Sequence, residues 1–143
     1  MSVTTGALLL AGRIVLVIFF GAVAGPAHMT RGKMMKGYAQ SVGFPAPLLA
    51  GWPAGLWLIA AAVSIGVGIW PDIGALMLAA FVIPAGLYFH NFWAVEDPAQ
   101  KQTQNQLFFR NLTFLGASLA LFALFVAAGD SLRFVVVGPA FDF

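Results

Sequence analysis

Seven side chains are out of keeping with the apolar sequence around them: Arg13, His28, His90, Asn91, Gln106, Arg110 and Asn111. Arginine donates hydrogen bonds and carries a fixed charge, amides donate and accept, and histidine also exchanges a proton near neutral pH. In hydrocarbon a charged group costs on the order of 2.5–3.5 kcal/mol at mid-helix, so each of these residues needs a partner or a task. Five of them fall in two short runs, Tyr88-Phe89-His90-Asn91-Phe92-Trp93 and Gln106-Leu107-Phe108-Phe109-Arg110-Asn111, where polar atoms alternate with flat aromatic rings. A histidine or arginine set among such rings can hydrogen-bond a carbonyl oxygen on a flat apolar ligand.

The rest of the chain decides what solvent surrounds them. Of 143 residues, 61% are hydrophobic and 8% charged, against roughly 45–50% and 25% in a soluble domain. Five acidic and seven basic residues cannot wrap a core in water, so lipid must be the solvent for most of the surface. Disorder is excluded by the same numbers. There is no cysteine, hence no disulfide, no reactive thiolate and no cysteine-ligated cluster. The net charge of +2 comes from scattered residues rather than a basic run, which gives no support for nucleic-acid binding.

Four apolar stretches are long enough to span a bilayer, which takes about 20 residues at 1.5 Å each. They cover 6–27, 47–70, 72–93 and 106–128, followed by an apolar tail, 129–143, too short to cross. The fold expected is an all-α, integral membrane four-helix bundle in one domain, 1–143. Trp70-Pro71-Asp72 alone separates the second and third spans, which makes them an antiparallel hairpin. A signal-peptide reading of the first span is set aside, because Ala7-Leu8-Leu9-Leu10 is already apolar ahead of Arg13. Between spans one and two, residues 28–41 predict a short interfacial helix with Met34, Met35 and Tyr38 inward and Arg31, Lys33 and Lys36 outward. Those basic residues and Lys101 outnumber Arg133 on the terminal side, which places both long loops in the cytoplasm and both termini outside.

Gln102, Gln106, Arg110 and Thr113 share one helical face, and a short loop brings His90 and Asn91 to the depth of Gln106 and Arg110. Three readings of the cluster stand open. The residues satisfy each other while Arg110 snorkels to the interface; or they form a quinone-type pocket walled by Tyr88, Phe89, Phe92, Phe108 and Phe109; or His28 and His90 hold a haem, a reading disfavoured because axial pairs need facing helices at matched depth. No metal set is expected otherwise. Pro84 should bend span three and shape space beside His90. Arg13 lies toward the other face, with Asp72 the nearest acidic candidate to pair it. The tail is expected to pack on a partner or on the bilayer surface.

The chain resembles the DoxX family of small four-span membrane proteins. The resemblance rests on Gly12-Arg13 with Phe19-Phe20, on Tyr38-Ala39-Gln40-Ser41-Val42-Gly43-Phe44-Pro45-Ala46-Pro47, on His90-Asn91-Phe92-Trp93, and on Gln106 to Gly116, and it covers nearly the whole chain. Many members have a lysine where this chain has His28 and a glutamate inside span two, where this chain reads Leu56-Trp57-Leu58. If that glutamate pairs the arginine of span one, Arg13 here must be satisfied some other way. The resemblance implies a subunit of a quinone-linked oxidoreductase, the named case oxidising thiosulfate, with His90, Asn91, Gln106, Arg110 and Asn111 as the pocket and Arg13 second. Arg110 would hold a quinone carbonyl or small anion and His90 would hydrogen-bond or pass a proton. The competing expectation is an accessory, non-catalytic subunit of a membrane complex, with other subunits or further copies of itself as partners, in a bacterial plasma membrane.

Overall fold

In a computed structural model of the protein, which describes residues 1–142, the regular elements are helical apart from one isolated bridge between Ile69 and Gly138. Phe143, the last residue of the expected tail, lies outside the described residues. Three stretches are long and apolar enough to cross a membrane, Val3–Thr30, Pro71–Ala94 and Pro98–Ser131, and a shorter apolar helix occupies Trp52–Gly68. The all-α membrane bundle read from hydropathy is therefore what the chain forms.

The helix ends follow local chemistry. α1 (Val3–Leu16) opens on Ser2, whose hydroxyl accepts from Thr5 N, and α6 (Pro98–Ala128) opens on Asp97, whose carboxylate accepts from Gln100 N, with Pro98 at the first helical position. The first span continues from α1 through a π-helical stretch, Val17–Ala24, into α2 (Gly25–Thr30). α3 (Gly32–Ser41) is the short helix between spans one and two, its Arg31, Lys33 and Lys36 exposed. Span two is a 3-10 turn, Pro47–Ala50, then α4 (Trp52–Val63) and a π stretch, Ser64–Gly68. Span three is α5 (Pro71–Pro84) continued as a π-helix over Ala85–Phe89. The wider π geometry sets in directly after Pro84, which cannot donate to the preceding turn. α6, with 31 residues, is about 46 Å long, well beyond a hydrocarbon core of about 30 Å, so its first turns stand clear of the lipid on the loop side.

Phe20, Leu58, Ile65, Leu78, Val82 and Phe125 meet at the centre of the bundle, with each span packed on the next in chain order. Between α2 and α4 the backbones nearly touch: a Cβ on Gly55 would stand 2.6 Å from Gly25 O. That approach fixes the end of the first span against the start of the second.

At the other end of the bundle the chain closes on itself. Gly68 turns the chain with φ +76°, and a Cβ there would meet Val135 Cγ1 at 2.5 Å. Gly68 O accepts from Val136, Val137 and Gly138 N, and Trp70 N donates to Gly138 O. The backbone of the apolar tail is taken up by this protein's own helix ends, while Val136 and Val137 remain exposed. Arg13 does not pair Asp72. Arg13 is fully buried, and its Nε, Nη1 and Nη2 donate to Ile65 O (2.7 Å), Phe134 O (2.9 Å) and Gly66 O (2.8 Å). Ile65 and Gly66 belong to the last turn of span two, where carbonyls have no amide of their own helix to bind, and the guanidinium fork matches them.

Candidate functional site

On the loop side the four spans part around a cavity of about 690 Å³. α3 lies over it, contributing Met34, Met35 and Tyr38, and the Tyr38 hydroxyl donates to Phe89 O at 2.9 Å. Phe44, just beyond α3, stacks edge-on or tilted against Tyr88 and Phe89 with centroids 5.3 Å apart. Met34, Met35 and Tyr38 thus face the bundle as their spacing suggests. Phe19, Phe20 and Phe114 form a wall where the first and fourth spans come together, their centroids 4.9 to 5.1 Å apart. Trp57 and Phe81 complete the aromatic lining, the Trp57 indole anchored by donation to Met77 O at 2.8 Å. Pro84 and Ala85 line the cavity at the start of the π stretch, the position from which the sequence suggested space beside His90.

Polar side chains are few, and each has a defined support. His28, near the end of the first span, donates from Nδ1 to Ala50 O at 2.6 Å and packs edge-on to Phe81. His90 follows the π stretch and donates from Nδ1 to Gln104 Oε1 at 2.8 Å. The Arg110 guanidinium lies 6.0 Å from the Phe19 ring centroid, at the outer limit of a cation–π contact. Asn111 is buried and gives Nδ2 to Leu107 O on its own helix. No acidic residue lines the cavity. Among the described residues, no three of histidine, aspartate or glutamate come together as a metal site.

Of the six residues that the resemblance puts at or beside the pocket, His90, Arg110 and Asn111 line the cavity. Asn91 leads into the 3-10 turn Phe92–Ala94 beside it, Gln106 is exposed on another face of α6, and Arg13 is sealed at the opposite end. The partner of His90 is therefore Gln104 and not Gln106. The inward face of α6 runs through Gln104, Asn111, Ser118 and Phe125 at seven-residue steps, whereas the polar face drawn through Gln106 and Arg110 lies to one side. That spacing was available in the sequence as a signal for Gln104. His28, weighed there only as a haem ligand, lines the same cavity as His90.

Arrangement and sequence converge on one kinship, since residues 8–91 match the DoxX family. The chain belongs to the DoxX family. The matched region of this DoxX protein takes in Arg13, His28, His90 and Asn91 and ends before the fourth span. No curated protein and no solved structure matches it. The glutamate that the DoxX resemblance leads one to seek in span two is replaced, as a partner for Arg13, by carbonyls at the end of that same span and in the tail.

Proposed function

We propose that this DoxX protein binds a flat apolar ring of the quinone class in the loop-side cavity, as the membrane subunit of a redox-linked complex. The observation that carries the reading is the lining itself: aromatic walls drawn from all four spans, a methionine and tyrosine cover, and a few polar groups convergent on one space. A volume of about 690 Å³ suits a substituted ring with part of its tail. Arg110 donates to a ring oxygen, and His28 and His90 line the same space. With no cysteine, the chain supplies a site for the ring and not a redox-active thiol, so oxidation of a donor such as thiosulfate falls to a partner subunit. This is an accessory role with a ligand. The long loops, with Arg31, Lys33, Lys36 and Lys101, lie in the cytoplasm in this reading.

The test is purification in a mild detergent from native membranes, followed by lipid extraction, an absorbance spectrum and identification of copurifying proteins. Quinone near one per chain, lost with Arg110→Ala, supports the proposal. A defined protein partner, no extractable quinone and no binding of a short-chain quinone would overturn it in favour of a purely structural subunit.

A further inference from the structure

Both histidines at the cavity are held in one tautomer by acceptors. Ala50 O is a carbonyl and can only accept, so its contact with His28 fixes the proton on Nδ1. With Gln104 presenting Oε1 at 2.8 Å, His90 likewise carries its proton on Nδ1. A neutral imidazole protonated at Nδ1 carries its lone pair on Nε2, and that nitrogen then accepts. Two histidines from different spans line one cavity, each with Nε2 as its remaining ring nitrogen and acceptor, beside the donor-only guanidinium of Arg110.

Ligand oxygens respond differently to such a lining. The two carbonyls of a quinone only accept; Arg110 can serve one, but at each histidine lone pair would face lone pair. The two hydroxyls of the reduced ring each donate one hydrogen and still accept from Arg110. Building on the quinone-ring reading above, we infer that the cavity is shaped for the reduced, hydroquinone form, whose phenolic hydroxyls donate to Nε2 of His28 and of His90. The inference concerns recognition of a redox form and involves no transfer of electrons.

Binding of three short-chain ring compounds to the detergent-purified protein tests it: a benzoquinone, its hydroquinone, and the dimethyl ether of that hydroquinone, which keeps the ring but cannot donate. Titration calorimetry is run without oxygen at about pH 8, above the ordinary histidine value near 6.5. The hydroquinone should bind at least about tenfold more tightly than either of the others. A His28→Phe/His90→Phe double variant should weaken hydroquinone binding about tenfold while its helix content stays that of the wild type, which reports that the variant is folded. Equal affinities, or a tighter quinone, overturn the inference and leave the quinone-ring reading standing. If none of the three binds, the quinone-ring reading itself fails and this inference falls with it.

Discussion

Arg13 and Asp72 are both fully buried at the same end of the bundle, and each is bonded to the C-terminal tail instead of to the other. The Asp72 carboxylate accepts from Ala140 N and Phe141 N at 2.8 to 2.9 Å. Arg13 ties Phe134 O to the end of span two. A cation and an anion thus clamp one backbone segment between the first and third spans. Removing Arg13 leaves three carbonyls without this donor, Ile65 O buried and Gly66 O and Phe134 O part-buried. Arg13→Met should cost about 3 kcal/mol or more of stability, read as a lower unfolding midpoint in detergent; a cost under about 1 kcal/mol would show that water or the tail replaces the guanidinium.

Asp72→Ala should release the tail without disrupting the spans. The expected result is rapid trimming by carboxypeptidase up to the region of Val137, followed by mass spectrometry, with helix content unchanged. Resistance equal to wild type would mean that the other backbone bonds at Gly68 hold the tail unaided.

Arg110 is exposed and, among the described residues, makes no hydrogen bond to another element, so its loss should spare stability. Arg110→Ala should shift the unfolding free energy by less than about 0.5 kcal/mol and weaken binding of a short-chain quinone or hydroquinone about tenfold, the worth of one charge-assisted bond. Destabilisation together with unchanged binding would move Arg110 from the ligand to the scaffold.

Tyr38→Phe removes the hydrogen bond that fastens α3 to Phe89 O while keeping the ring. Cover stability should fall by about 1 kcal/mol, seen as a severalfold faster ligand off-rate and faster amide exchange across α3. An unaltered off-rate would show that α3 does not control access.

Much of this was legible beforehand because hydropathy and helical period are local. The apolar helices, the hairpin at Trp70-Pro71-Asp72, the side of α3 that lines the cavity and the gathering of His90 with Arg110 and Asn111 all follow from them. What escaped depends on departures from an ideal α-helix. π-helical turns at Val17–Ala24, Ser64–Gly68 and Ala85–Phe89 shift the side-chain period, and a 100° wheel drawn through them misassigns faces. His28 entered the cavity through the first of these. Arg13 took carbonyls exposed by the second, which no search for an acidic partner could find. The tail escaped for another reason: its bonds are made by main-chain groups of Val136, Val137 and Gly138, whose partners are independent of side-chain type.

The clamp at Arg13 also orders events during synthesis. Chains emerge N-terminus first, so the first span is made with a guanidinium whose acceptors at Ile65 and Gly66 follow 52 and 53 residues later and whose acceptor at Phe134 follows 121 residues later. Until then an arginine stands in the membrane without its full set of bonds, and the nascent bundle is open at the end that the tail will close. A chain cut short before Phe134 keeps the bonds to Ile65 O and Gly66 O but leaves one donor of the Arg13 guanidinium unmet, so full satisfaction of this buried charge reports that the tail has been made.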